Sequence, residues 1–270
     1  MSGGHLTTTN WHSRCSAVWH RFQRAVRSYV FDRRMDQMIH QQPNQFIPVH
    51  ADALDQPLVN FASSLSGTRP VRIVALGSSS TAGEGGIVPY PYRLEAALRA
   101  KHNGRMIDVL NRGKGGEEAP AEVARMPDDV LSESPSLIIW QIGTNAVWQP
   151  GHDLKQVEVA IANGLSMLDN LHADVILMDL QYAPALLTQD KIDATRYMLS
   201  AIDRLAAAGK SVNVFHRFDM MRKWHELEGN SFDRIIDPND EMRLHQSDWS
   251  AQRIGYELGE AIAAAVALAA

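Results

Sequence analysis

Four residues of types that cooperate in acyl transfer occur in order along the chain: Ser79, Gly116, Asn145 and His245. A serine hydroxyl becomes a nucleophile when an imidazole accepts its proton. The main-chain N–H of a glycine and the side-chain amide of an asparagine can donate hydrogen bonds to the negative oxygen that forms during the attack. The set therefore predicts attack on a carbonyl carbon through a covalent serine intermediate.

Ser79 stands in a turn of small residues that follows a strand-forming segment. Residues 71–76 are mostly β-branched or aliphatic, which is typical of a buried parallel strand, and residues 77–81 read Gly-Ser-Ser-Ser-Thr. Open α/β sheets hold their ligands at the carboxyl ends of strands, so we expect the nucleophile here. The alternatives are a helix cap and a phosphate-binding loop. The phosphate-binding loop is the less favoured of these, because no Gly-Lys-Ser or Gly-Lys-Thr follows.

The other three residues lie in comparable places. Gly116 belongs to a glycine-rich loop, residues 111–117, that follows the second predicted strand. Asn145 follows the third predicted strand, and His245 stands just before the last predicted helix. Because the carboxyl ends of parallel strands meet at one edge of a sheet, we expect the four residues to lie together.

Taken together, the four segments resemble the motif blocks of the SGNH hydrolase superfamily, also called the GDSL esterases and lipases. The resemblance covers residues 70–265. The first block reads Gly-Ser-Ser where the superfamily usually has Gly-Asp-Ser, and the third reads Gly-Thr-Asn-Ala where an aspartate often ends the block. The residues that carry the resemblance are Gly77, Ser79, Asn111, Gly113, Gly116, Gly143, Asn145 and His245.

The resemblance implies a serine esterase that hydrolyses carboxylic esters, with short-chain acyl or acetyl esters as substrates. Ser79 is then the nucleophile and His245 the general base. The N–H groups of Ser79 and Gly116 and the amide of Asn145 form the oxyanion hole. No metal or organic cofactor is implied. An acyltransferase on the same scaffold is the nearest alternative, because it uses the same acyl-enzyme.

The residue that orients His245 departs from the superfamily pattern. An aspartate normally stands three residues before the histidine; here that position is Met242, whose thioether is a poor acceptor for an imidazole N–H. Asp240 and Glu241, just upstream, are the candidate carboxylates, and a backbone carbonyl that leaves a Ser-His dyad is the third possibility. Because Ala146 also replaces an acid, a catalytically impaired module that binds carbohydrate or another ligand is an alternative of a different class.

Extended and helical patterns alternate after residue 70. Strands are predicted near 71–76, 106–110, 137–142, 174–180 and 211–215, and helices near 90–102, 118–132, 154–171, 190–208 and 249–268. Right-handed crossovers then give a three-layer α/β/α sandwich with a five-stranded parallel sheet. The predicted strand order, 2-1-3-4-5, is flavodoxin-like and is also the order that the resemblance implies.

The composition fits an α/β enzyme and excludes several other classes. The chain has 270 residues, 45% of them hydrophobic, which is enough to bury a full core. A net charge of -5 argues against a nucleic-acid partner. The single cysteine, Cys15, excludes an internal disulfide, and the histidines show no metal-ligand spacing. The expected partner is a small ester, with acylated carbohydrates among the candidates.

The N-terminal region is a different kind of sequence. Residues 1–40 form a basic amphipathic segment, residues 41–69 a proline-bearing linker, and residues 70–270 the hydrolase domain. The arginines and the helical apolar spacing within residues 11–39 favour contact with an anionic membrane surface, a partner, or a transit-like role; the alternative is a helix packed on the domain. Neither an ordinary signal peptide nor a transmembrane span is predicted, so the location is left open: cytoplasmic by default, with peripheral membrane association as an alternative.

Overall fold

The computed structural model describes residues 53–269. The predicted basic segment, residues 1–40, and its membrane contact through residues 11–39 lie outside the described residues. So does the first part of the predicted linker.

Five parallel strands form the central sheet, and their order along it is β2-β1-β3-β4-β5. The strands are β1 (Val71–Gly77), β2 (Ile107–Gly113), β3 (Leu137–Gln141), β4 (Asp174–Met178) and β5 (Val212–Phe215). The predicted fold class and strand order are therefore confirmed.

The central strands are covered on both faces. Every residue of β3 and β4 is buried, and so is all of β1 except Arg72. Continuous apolar runs of this kind are what a parallel sheet between two helical layers requires, because both sets of alternating side chains then face a core. The sheet thereby fixes the carboxyl ends of β1, β2 and β3 side by side.

Helices follow the strands and form the two outer layers. They are α1 (Val59–Ser66), α2 (Ser79–Ala82), α3 (Tyr90–Lys101), α4 (Ala119–Asp129), α5 (Thr144–Trp148), α6 (Leu154–Leu168), α7 (Ile192–Ala208), α8 (Arg217–Glu226), α9 (Phe232–Ile235) and α10 (Asp248–Ala267). On one face α10 packs against α3 and α1, and on the other α6 packs against α4 and α7. Across residues 53–269, no helix is both long enough and apolar enough to cross a bilayer.

The end of the predicted linker packs on the α/β domain. Phe61 of α1 is fully buried, and its main-chain N–H donates to the carboxylate of Asp174 at 2.9 Å. Leu58, also fully buried, donates its N–H to the carbonyl of Ala265 at 3.3 Å. Of residues 41–69, the described part therefore belongs to the domain and does not act as a linker. Its sequence resembled a linker because it bears prolines and helix α1 is only eight residues long.

Candidate active site

The proposed nucleophile stands at the junction of β1 and α2. Ser79 is the first residue of α2, and its neighbour Ser78 accepts the N–H of Ala82 at 2.9 Å. Ser79 is 8% exposed. As the first residue of a helix, it has a main-chain N–H that no intrahelical carbonyl accepts. The turn thus places a hydroxyl and a main-chain donor on the same residue at the edge of the sheet.

The glycine-rich loop of residues 111–118, called the second loop below, packs directly against this turn. Asn111 donates its amide to the carbonyl of Thr81 at 2.8 Å and accepts the N–H of Gly113 at 2.9 Å. A Cβ on Gly113 would lie 2.1 Å from the nitrogen of Ala82, so only glycine permits this approach. Asn111 and Gly113 therefore hold the second loop at a fixed distance from the nucleophile.

Gly116 takes a backbone conformation that favours glycine. Its φ is +78°, in the left-handed region, and its carbonyl accepts the side-chain amide of Gln149 at 3.1 Å. Within residues 53–269, no group accepts a hydrogen bond from the Gly116 N–H. That donor is available to a bound ligand.

Asn145 lies in the first turn of α5 and is 5% exposed. Its Nδ2 donates to the main-chain carbonyl of Glu117 at 2.7 Å. A primary amide carries two N–H donors, so this bond orients the group and leaves the second donor for a ligand. The segment of residues 143–146, called the third loop below, is thereby tied to the second loop.

A carboxylate holds the imidazole of His245. Oδ2 of Asp240 lies 3.1 Å from Nδ1 of His245 and also accepts the main-chain N–H groups of His245 at 2.6 Å and Leu244 at 2.8 Å. Burial raises the pKa of Asp240, but the N–H groups of His245 and Leu244 and the adjacent imidazole outweigh it, so the pKa lies below its ordinary value. Asp240 is therefore ionised at neutral pH and holds the ring through Nδ1, which leaves Nε2 as the nitrogen that could take a proton.

The path of this loop explains why the acid stands five residues before the histidine. Met242 is 46% exposed, and its N–H donates to Oδ1 of Asp240 at 3.1 Å. Arg243 takes a positive φ of 54°, which turns the chain back toward Asp240. Glu241 is exposed and makes none of the contacts to His245. Of the two carboxylates considered from the sequence, the structure places Asp240 at the ring.

A buried polar cluster ties the histidine loop to the nucleophile helix. The hydroxyl of Ser80 donates to Oε1 of Gln181 at 2.8 Å, and Nε2 of Gln181 donates to the carbonyl of Leu244 at 2.5 Å. Gln246 donates to the carbonyl of Ser80 at 3.2 Å. The residues before and after His245 are therefore both fixed relative to Ser79.

Comparison with known proteins gives the family. Residues 47–268 match the Non-GDSL lipase-like family. The chain belongs to this family. Its recognition as an SGNH hydrolase from the motif blocks is confirmed. No curated protein sequence gave a significant match.

Solved structures share the fold of this lipase-like protein at low sequence identity. An acetylxylan esterase from Geobacillus stearothermophilus, solved as a catalytic mutant, is 16% identical over 73% of this chain and 96% of its own, with a TM-score of 0.62. A lipase/acylhydrolase from Enterococcus faecalis is 19% identical over 70% and 93%, with a TM-score of 0.57. An α/β hydrolase enzyme from the metagenome of Lake Arreo is 18% identical over 76% and 99%, with a TM-score of 0.59. At these identities the likeness shows a shared fold.

A glutamine on β3 contacts the turn that carries Ser79. Oε1 of Gln141, on β3, accepts hydrogen bonds from the N–H of Ser78 at 3.2 Å, the hydroxyl of Ser78 at 3.1 Å and the hydroxyl of Thr81 at 3.3 Å. A neutral amide thus supports the nucleophile turn. Sequence reasoning missed Gln141 because it lies inside an apolar strand.

A second carboxylate lies near the other ring nitrogen of His245. Oε2 of Glu84 lies 3.5 Å from Nε2 of His245, and the Glu84 side chain is 49% exposed. A Cβ on Gly115 would lie 2.9 Å from Oε1 of Glu84 and 4.0 Å from Cβ of Ser79. Glu84 is therefore next to the ring nitrogen that faces away from Asp240. Its position two residues beyond α2 was the only sequence signal that could have indicated it.

Proposed function

We propose that this protein is a serine esterase that hydrolyses short-chain acyl esters through an acyl-enzyme. The contact that carries the proposal is the 3.1 Å pairing of Asp240 with Nδ1 of His245. A carboxylate at that nitrogen is what a catalytic histidine requires, so the contact supports an active esterase over an impaired binding module. The family membership and the oxyanion donors in the second and third loops support the same reaction.

In the proposed reaction the hydroxyl oxygen of Ser79 attacks the ester carbonyl carbon while Nε2 of His245 takes the proton. The carbonyl oxygen becomes an oxyanion and accepts hydrogen bonds from the N–H groups of Ser79 and Gly116 and from the amide of Asn145. The carbon–oxygen bond to the alcohol then breaks, and His245 gives its proton to that oxygen. Water repeats the cycle on the acyl-enzyme, which releases the acid and the free serine.

Acetyl groups, including those on carbohydrates, are the proposed acyl substrates. Two of the structurally similar proteins are acetylxylan esterases: one is from Geobacillus stearothermophilus and the other is named AlAXEase. Residues 181–187, which follow β4, are all buried, so this segment is packed in the domain and does not form an open apolar cover for a long acyl chain. A small acyl group fits that arrangement best.

The assignment is tested by covalent labelling. Diethyl p-nitrophenyl phosphate should release one p-nitrophenolate per chain, and peptide mass spectrometry should place the diethylphosphoryl group on Ser79. Prior acylation by a slowly hydrolysed ester should protect the enzyme. Hydrolysis of short esters by a protein that takes up no label, or takes it up on a residue other than Ser79, would refute the proposed mechanism.

Glu84 bears on the alcohol part of the substrate. Because Nε2 of His245 must reach the leaving oxygen, a carboxylate 3.5 Å from Nε2 also lies beside the leaving group. Acetylcholine and 3,3-dimethylbutyl acetate have nearly the same shape and differ in one positive charge. Glu84→Gln should lower kcat/KM for the cationic ester by about three- to tenfold relative to the neutral one, a modest factor since solvent screens a half-exposed carboxylate.

The neutral ester is the internal control for that comparison. Its kcat/KM reports any effect of Glu84 on His245, which both esters share, so the ratio of the two kcat/KM values isolates the positive charge of the substrate. An equal loss on both esters would mean that Glu84 acts on His245 and not on the substrate, and would contradict the prediction.

A further inference from the structure

A buried carboxylate connects the two loops that carry the proposed oxyanion donors. Glu118 is the N-cap of α4 and is 4% exposed. Its Oε1 accepts the main-chain N–H groups of Ala119 at 2.9 Å and Gly143 at 3.1 Å, and its Oε2 accepts the N–H of Ala146 at 2.7 Å. Gly143 and Ala146 bracket Asn145. One side chain on the second loop thus holds the main chain of the third.

The charge state of Glu118 follows from a second buried carboxyl group one turn along α4. Burial raises the pKa of Glu118, and the three N–H groups partly offset the effect. Burial, and then the charge of Glu118, raise the pKa of Glu122 well above its ordinary value. Glu122 accepts the indole N–H of Trp140 at 2.7 Å. Three N–H donors face Glu118 and one indole N–H faces Glu122, so the negative charge of the pair is better stabilised on Glu118.

We propose that Glu118 is a positioning residue for the oxyanion hole. Its carboxylate fixes residues 143–146 so that the amide of Asn145 is held where the oxyanion forms. The neighbouring carbonyl of Glu117 accepts Nδ2 of Asn145 at 2.7 Å, so consecutive residues of the second loop hold both the main chain around Asn145 and its side chain. This inference rests on the proposed esterase mechanism, in which Asn145 is an oxyanion donor.

Glu118→Gln tests the role, because glutamine keeps the size of the side chain and loses one acceptor. With its oxygen toward Ala119 and Gly143, its NH₂ group faces the N–H of Ala146; turned over, it faces the other two. Either way a pair of donors must separate, and the first turn of α5 must shift. Loss of one oxyanion donor costs about a hundred- to a thousandfold in kcat, so a displaced donor should cost roughly ten- to a hundredfold. KM should stay within about threefold, since the oxyanion forms only after binding.

Glu122→Gln is the matched control. It removes a carboxyl group from the same helix at equal burial, keeps an oxygen for Trp140, and touches neither loop, so kcat should stay within about twofold of wild type. Its effect should appear in stability. Because the pKa of Glu122 is raised in the folded state, its contribution to stability is present below the unfolded pKa and is lost as the pH rises through the folded pKa. Glu122→Gln should therefore lose less stability than wild type over that rise in pH.

A double-mutant cycle with Asn145→Ala separates positioning from general damage. If Glu118 acts through Asn145, Glu118→Gln should lower kcat by less than about threefold in the Asn145→Ala background. The same ten- to hundredfold loss in both backgrounds, or an unchanged kcat in the single variant, would overturn the proposal. If Glu118→Gln does not fold, Glu118→Asp replaces it in the same cycle with the same expectation. Aspartate keeps the charge, but its side chain is one methylene shorter. An enzyme that loses activity with Ser79→Ala but tolerates these changes refutes the positioning role alone.

Discussion

Ser79→Ala should lower kcat for p-nitrophenyl acetate hydrolysis by at least about ten-thousandfold, because no acyl-enzyme can form without the hydroxyl. The remaining donors and the imidazole can still bind the ester, so KM should change far less than kcat. Stopped-flow measurements on the wild type should show a burst of p-nitrophenolate if deacylation is the slow step. The burst should vanish in the variant.

Ser80→Ala provides the control for that measurement. It removes the adjacent hydroxyl, which donates to Gln181, and leaves Ser79 in place. One buried hydrogen bond is lost, which costs about 1–3 kcal/mol of stability, while activity should stay within about tenfold of wild type. Activity that survives Ser79→Ala, or disappears equally in both variants, would show that Ser79 is not the nucleophile.

Asp240→Asn should reduce kcat by about a thousand- to ten-thousandfold, as expected when the orienting carboxylate of such a histidine is lost. The asparagine can turn its NH₂ toward Nδ1, which favours the tautomer with the proton on Nε2, and that nitrogen then cannot accept a proton from serine. The loss should appear in kcat measured near neutral pH.

Because the pKa of Asp240 is lowered in the native state, its stabilising contribution is present above the unfolded pKa and disappears as the pH falls through the folded pKa. The Asp240→Asn variant should therefore lose less stability than wild type on acidification.

The neighbouring positions serve as controls for Asp240. Glu241→Gln should change kcat by less than about twofold, because this exposed side chain makes no contact with His245. Met242→Asp restores the superfamily residue but should raise kcat by less than about threefold, since the carboxylate of Asp240 already contacts Nδ1 of His245. A gain of tenfold or more with Met242→Asp, together with a harmless Asp240→Asn, would show that no carboxylate orients the ring in the native enzyme.

The parts of this fold that follow from local pattern were predictable from the sequence. The apolar runs of β1, β3 and β4 identified the strands, and the small-residue and glycine-rich loops after them identified the edge that holds the site. Ser79, Gly116 and Asn145 stand out because each lies just after a predicted strand, in a turn whose small or glycine residues can be recognised in the sequence.

Residues that act through side chains reaching across the structure could not be found in this way. Gln141 lies in an apolar strand and Glu118 just before a helix, and neither position reveals the hydrogen bonds that the side chain makes. Asp240 could not be separated from Glu241, because the choice depends on the positive φ of Arg243, a residue type that rarely adopts it. The end of the predicted linker was missed since the burial of Phe61 depends on partners far away in the chain.

The hydrogen bond from Gln246 to Ser80 joins residues that are 166 positions apart in the chain, which bears on when the site is completed during synthesis. A chain leaving the ribosome completes β1 and its serine long before it supplies the histidine and the last helix. Contacts of such high sequence separation form late, because the intervening chain must be ordered before they are gained. A partly synthesised chain therefore holds the proposed nucleophile without its proposed base, and we expect activity toward esters only when the whole domain has closed around the sheet.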